Sequence, residues 1–277
     1  MLIAQLTDLH IKPPGKVAYG LVDTEALLRA AVADLVAQRP APDVVLLTGD
    51  LTDAGRPEEY ALLRALLAPI ACPIYVIPGN HDDRAALRAG FADHAYLPPD
   101  LPGGDGFIQY VVEDHPVRLI GLDTTTPGEA GGVLCGARLA WLEARLDAAP
   151  DRPTVVFLHH PPFATGIAHM DRIGLDGAAE FAAVIRRHPQ VERVLAGHLH
   201  RSIQARWAGT LASTAPSPAH QVLLDLRPDA PAGFTLEPPG YQLHLFTPDA
   251  GIVSHTVTIG SFPGPYPFRD PSGVLLD

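Results

Sequence analysis

The residues able to do chemistry in this chain sit where short apolar runs stop. Asp8 and His10 follow Met1–Leu6, and Asp50 follows Val44–Leu47. Asn80 and His81 come after Ile74–Ile77, His159 after Thr154–Leu158, and His198 and His200 after Val191–Leu195. Each alone is an ordinary turn residue, because Asp-x-His recurs by chance and Gly-Asn-His can simply mark a left-handed backbone position. Together they put nitrogen and oxygen donors at one edge of the sheets, and in layered α/β proteins ligands collect at the carboxyl ends of strands. Leaving His81 aside, two carboxylates, four imidazoles and one carboxamide, with no thiolate, suit two divalent ions such as iron, manganese, zinc or cobalt. Two such ions about 3.5–4 Å apart need one ligand that touches both. Asp50, at the end of the middle run, is the bridging candidate. The charge of the ions, less that of Asp8, Asp50 and a bridging hydroxide, is about +1, which attracts and polarises a phosphoester. The same ions make the hydroxide available at neutral pH.

The elements that must position these residues follow from pattern. Val44–Leu47 is unbroken, short and rich in branched residues, as in a strand covered on both faces. Thr24 or Asp23 caps a helix to about Gln38, Pro57 starts one to Leu67, and short helices are expected over about Asp83–Ala89, Ala137–Leu146 and Ala178–Arg187. Phe107–Val112 and Val117–Leu122 read as a hairpin turned at Asp114-His115-Pro116, after a proline- and glycine-rich stretch to Gly106. Beyond Arg201 the chain changes to short strands: Ser202–Trp207, Gln221–Leu226, Tyr241–Phe246 and Ile252–Thr258. Its 29 prolines make rigid loops. The expectation is one α/β domain over residues 1–277, a sandwich of two mixed sheets between helices. The β-rich part, 202–277, is either an oligomer contact or the edge of the second sheet.

Composition narrows the class. Hydrophobic residues are 47% and charged residues 18% of 277, ordinary for a globular protein. A net charge of −11 argues against a nucleic-acid polymer or an anionic membrane as partner. No signal peptide and no run near membrane-span length is evident, and Cys72 and Cys135 read as free, buried thiols, so a cytoplasmic protein is expected.

The full string Asp8-x-His10, Gly49-Asp50, Gly79-Asn80-His81-Asp82, His159 and Gly197-His198-x-His200 resembles the calcineurin-like metallophosphoesterases over residues 1–200. Within them it is similar to class III cyclic-nucleotide phosphodiesterases and, closer still, to bacterial glycerophosphodiesterases. That closer likeness lies in Tyr19-Gly20, Gly55–Tyr60, Ile77–Asp83, His159–Pro162 with Met170-Asp171, and His220-Gln221-Val222. The resemblance implies a four-layer αββα sandwich. It implies Asp8, His10, Asp50 and His200 on one metal and Asp50, Asn80, His159 and His198 on the other. His81 then stands beside the phosphate with Asn80, and Tyr19 and His220 line the substrate side. Ser/Thr protein phosphatases are less similar: after Gly49-Asp50 the chain reads Leu51-Thr52-Asp53, without the arginine those enzymes place by the phosphate. A dianionic monoester misses that cation, which favours diesters.

The expected activity is hydrolysis of a small phosphodiester by a metal-bridging hydroxide, with His81 stabilising charge or donating a proton to the leaving alkoxide. The alternatives are a 3′,5′-cyclic-nucleotide phosphodiesterase and a catalytically silent scaffold, against which the seven ligand positions speak. His94, His115 and His188 are expected in solvent, His244 and His255 on the surface of late strands, His160 in packing, and His169 in the pocket wall.

Overall fold

The computed structural model describes residues 1–97 and 106–276. The chain runs β1 (Leu2–Leu6), α1 (Thr24–Ala37), β2 (Val44–Thr48), α2 (Pro57–Leu67), β3 (Ile74–Ile77), α3 (Arg84–Gly90), β4 (Tyr110–Val112) and β5 (Arg118–Gly121). It continues β6 (Gly132–Val133), α4 (Gly136–Asp147), β7 (Thr154–Phe157), α5 (Ala168–Asp171), β8 (Leu175–Asp176), α6 (Ala178–Arg186) and β9 (Val191–Ala196). The last elements are β10 (Ile203–Trp207), β11 (Thr210–Thr214), β12 (Gln221–Val222), β13 (Phe234–Thr235), β14 (Gly240–Thr247) and β15 (Gly251–Thr258). Most of the proline- and glycine-rich stretch before Gly106 lies outside the described residues.

Two mixed sheets form, as expected. One has the order β15-β14-β1-β2-β3 and the other β10-β11-β9-β7-β5-β4. Alternation along the second sheet sorts its side chains into two cores. Leu119, Val155, Phe157 and Leu195 pack with β1, β2 and helices α1 and α2 in the larger cluster. Ile120, Val156, Leu158, Val194 and Ala196 pack against α4 and α6. Gln5 ties the sheets, its amide donating to Ala196 O at 2.9 Å and to Thr48 Oγ1 at 3.0 Å. The helices start where their caps allow: Asp23 accepts from Ala26 N, Asp83 from Ala86 N, and Glu59 from Arg56 N behind the first-turn Pro57. Among the described residues no helix is long and apolar enough to cross a membrane.

Several expectations need correction. The late hairpin β14–β15 extends the first sheet, not the second: β1 offers one edge to β2 and the other to β14, with Leu2 opposite Leu245 and Gln5 opposite Gln242. Consequently His244 is buried, between Gln5 Oε1 at 3.1 Å and Ser254 Oγ at 2.7 Å, whereas His255 is exposed as expected. His188 is buried too, held by Val184 O at 2.8 Å and Asp147 at 3.0 Å, while His94 and His115 are half-buried. The strand expected over Gln221–Leu226 stops at Val222; one more backbone bond, Leu223 N to Gly233 O at 2.9 Å, follows it, and Leu224 and Leu226 are exposed. Thr210–Thr214, unforeseen because its side chains are mostly small and polar, pairs with β10 across a tight turn at Ala208-Gly209, both with positive φ. Cys72 and Cys135 are free but only half-buried.

Candidate metal centre

Asp8, His10, Asp50, His198 and His200 occupy the turns after β1, β2 and β9, and all five have left-handed backbone, with φ between 46 and 69°. Non-glycine residues seldom adopt it, so the surrounding structure must enforce it. Glycines open the space. A Cβ on Gly79 would lie 2.2 Å from Asp50 Oδ1, and one on Gly197 would lie 2.1 Å from Thr7 Oγ1. The loops can therefore approach only because these positions carry no side chain.

Asp50 stands in the middle. Its Oδ2 is 3.6 Å from His10 Nε2 and 3.4 Å from His159 Nε2, and its Oδ1 accepts from His81 N at 2.9 Å. On one side His200 Nε2 is 3.5 Å from Asp8 Oδ1 and 3.2 Å from His10 Nε2. On the other, His159 Nε2 is 3.2 Å from Asn80 Oδ1, and the His159 and His198 rings are 5.1 Å apart. Backbone carbonyls choose the tautomers. His159 and His200 donate Nδ1–H to Thr48 O and His220 O, leaving Nε2 free for a ligand, while His198 donates Nε2–H to Ile173 O, leaving Nδ1. His160 spends both ring nitrogens, on Thr124 Oγ1 and Ala130 O, so it packs and cannot coordinate.

Electrostatics agree with this division. Burial, then neighbouring imidazoles, push His198 and His200 well below the usual histidine range, so both are neutral, as ligands must be. Burial raises Asp8 to about 6 even against the pull of His159. Burial works against the charged forms of Asp50 and His159 as well. Their mutual attraction wins, holding Asp50 well below the carboxylate range and lifting His159 to about 9. The donors fit metal on a direct test: Asp8 Oδ2 and His10 Nδ1 are buried without a partner, and imidazole Nε2 atoms of His10 and His200 face one another. Such an arrangement is costly unless something positive lies between.

A cavity of about 380 Å³ opens beside these donors, lined by Tyr19, His81, His169, Met170, Ile173, His220, Val222 and Phe234 among others. A sequence profile of the calcineurin-like phosphoesterases matches residues 1–202. The chain belongs to that family. It is 41% identical over 278 residues, 100% of each chain, to a probable glycerophosphodiester phosphodiesterase GpdQ from Arcobacter nitrofigilis. To a probable cyclic nucleotide phosphodiesterase from Rhodopseudomonas palustris it is 37% identical, covering 92% of this chain and 91% of the other. The fold matches a dimetal phosphatase from Danio rerio with a TM-score of 0.63 at 16% identity, over 94% of this chain and 99% of that one.

In this calcineurin-like phosphoesterase the sequence-expected residues converge, Tyr19 and His220 included, with their rings edge to face at 5.2 Å. His220 is buried, and burial lowers it to about 4. His169 lines the cavity as expected.

Other members were missed. Asp53 takes Lys12 as ion-pair partner, faces His10 Nδ1 at 3.7 Å, and accepts His81 Nδ1–H on its backbone carbonyl at 2.8 Å. Asp82 gathers donors from both the Asp50 and Asn80 loops. Their motif neighbours were the available signal. Phe234 had none, lying among prolines far along the chain.

Proposed function

We propose that this phosphoesterase is a metal-dependent phosphodiesterase that hydrolyses small, open-chain diesters of the glycerophosphodiester kind. Two divalent ions would be held by Asp8, His10, Asp50 and His200, and by Asp50, Asn80, His159 and His198. The observation carrying this is Asp50 Oδ2 between His10 at 3.6 Å and His159 at 3.4 Å, next to the open cavity. Ions bound there supply positive charge for the phosphate and make water acidic enough to attack at neutral pH. His81, its Nδ1–H fixed on Asp53 O, turns Nε2 to the substrate. From there it would give a hydrogen bond, or a proton, to the departing alkoxide.

End-to-end similarity to a protein named as a glycerophosphodiester phosphodiesterase supports the substrate class. The cavity wall supports diesters over monoesters. Its described residues include no lysine or arginine, and Lys12 is committed to Asp53. A dianion would find no extra cation there. Free Cys72 and Cys135 accord with a reducing cytoplasm.

A second reading, cyclic-nucleotide hydrolysis, gains from Tyr19 and Phe234, whose rings lie 4.9 Å apart at the cavity wall. No such pair is evident from the sequence alone. Because the two rings lie against each other, at 4.9 Å with a tilt of 33°, they do not flank a gap into which a purine could be sandwiched, and the open-chain reading is preferred.

The test is kcat/KM for glycerophosphoethanolamine, cyclic AMP, bis(p-nitrophenyl) phosphate and p-nitrophenyl phosphate, with Mn²⁺, Zn²⁺ or Co²⁺ supplied. Diesters should lead the monoester, and glycerophosphoethanolamine should lead cyclic AMP. Cyclic AMP ahead by tenfold, about 1.4 kcal/mol, selects the second reading. A monoester in first place overturns the diesterase itself.

A further inference from the structure

One wall of the cavity is aromatic, and nothing in the hydrolysis needs it to be. Phe234, on β13, lies 4.9 Å from Tyr19 with rings tilted by 33°, and 5.2 Å from His220 nearly edge-on. Tyr19 has φ of 51°, so the twist of its loop presents the ring toward the cavity. Val222, Ala232 and Gly233 complete the surface and add no polar side chain. The result is an aromatic and largely apolar face that adjoins the donor cluster through His220, whose ring lies 4.5 Å from that of His200.

The ribbon carrying Phe234 is only two residue pairs long, Gln221 opposite Thr235 and Val222 opposite Phe234. Such a ribbon does not hold itself. It hangs from the turn after β9. His200 donates Nδ1–H to His220 O at 2.9 Å. The next residue, Arg201, donates to Val222 O at 2.7 Å and grips both oxygens of Glu237 at 3.0 and 2.7 Å. The Thr235 hydroxyl donates to the same carboxylate at 2.8 Å. The distance from the aromatic face to the ligand His200 is therefore set by two adjacent residues.

We propose that Phe234 is a specificity-determining residue, the face on which one alcohol group of the diester packs, with Arg201 and Glu237 as the positioning pair that holds it. The proposal rests on the phosphodiesterase reading above. The Phe234 ring offers contact area and no hydrogen bond, so its own contribution is larger for an alcohol with an apolar or aromatic body than for the small polar alcohols of a glycerophosphodiester, which the site accepts without it.

The test compares bis(p-nitrophenyl) phosphate with glycerophosphoglycerol, whose alcohols are small, polar and uncharged, on metal-loaded wild type, Phe234→Ala, Phe234→Tyr and Glu237→Ala. Phe234→Ala should lower kcat/KM for the aromatic diester about tenfold and for glycerophosphoglycerol less than about threefold. The loss should fall on KM, since the ring touches substrate away from phosphorus. Phe234→Tyr should restore the wild-type ratio. Glu237→Ala, which removes a carboxylate bound by Arg201 and Thr235, should move the ratio in the same direction as Phe234→Ala with metal stoichiometry unchanged. Equal losses on both diesters, no loss on the aromatic one, or no recovery in Phe234→Tyr would overturn the assignment of Phe234. An unchanged ratio in Glu237→Ala would remove the positioning role. A wild type that hydrolyses neither diester overturns the phosphodiesterase reading and this proposal with it.

Discussion

Asp82→Asn is the sharpest probe of how the site is held, because it changes one atom type and almost no volume. Oδ2 of Asp82 accepts from Leu51 N at 3.0 Å and Gly79 N at 2.9 Å. Oδ1 accepts from Thr52 N at 3.1 Å, Thr52 Oγ1 at 3.0 Å and Tyr60 OH at 2.8 Å. An amide cannot serve both ends. Turned one way its NH₂ faces the backbone donors Leu51 N and Gly79 N; turned the other it faces Thr52 N, while the Thr52 and Tyr60 hydroxyls can reverse to accept, so at least one backbone donor loses its acceptor and every remaining bond loses its charged partner. A hydrogen bond to a charged group contributes about 1.5–3 kcal/mol. Asp82 is half-buried, so water recovers part of each loss, and a net cost of about 3 kcal/mol is expected. For a chain of this size that lowers Tm by roughly 6–12 °C. A second effect opposes it in the metal-free protein: the variant no longer places a like charge beside Asp50. With divalent ions bound, that lost charge instead removes an attraction. The fall in Tm should therefore be larger with Mn²⁺ than after chelation, and calorimetric titration should show weaker metal binding than in wild type. A Tm within about 2 °C of wild type under both conditions would refute the reasoning.

Asp50→Ala should abolish turnover and lower metal stoichiometry together, since one carboxylate serves both donor sets; two metals retained at near-normal rate would end the bridging assignment. Asn80→Asp should bind its metal more tightly yet turn over more slowly, because the site's charge falls from about +1 to 0, and titration against rate checks both at once. In wild type the Asn80 site should empty first under chelation, and two equally tight sites would contradict this. His81→Ala should lower kcat more than it raises KM, and a change confined to KM would make His81 a binding residue only.

The convergence of the proposed ligands was legible because chemistry and topology coincide in them. Asp8, Asp50, Asn80, His159 and His198 each end an apolar run, and a period-2 element leaves its next polar residue at the sheet edge. What was not legible is what distance along the chain hides. His244 looked like a surface residue because its strand alternates, but alternation says only that one face is buried, not which neighbour buries it. That depended on β1 accepting a second partner. His188 follows a helix, where exposure is the usual outcome, yet Asp147 from α4 reaches it. Phe234 was hidden for a related reason. Its two-residue strand has no periodicity, and its place is dictated by Arg201 and Glu237. Asp53 and Asp82 stood inside recognised motifs but accept hydrogen bonds across turns, which spacing alone does not describe.

The seating of β1 between β2 and β14 also bears on how the protein is made. β2 is available within about 50 residues of β1, but β14 begins at Gly240. At ribosomal speeds of about 5–20 residues per second, the β1 edge that β14 will cover waits roughly 12–50 seconds for its partner. During that interval the nascent chain carries an open strand edge of the kind that pairs with other chains. A nascent chain stalled before Gly240 should therefore depend on chaperones, and truncation within β14 should be more damaging than truncation beyond β15. The first strand synthesised would be among the last to be fully paired.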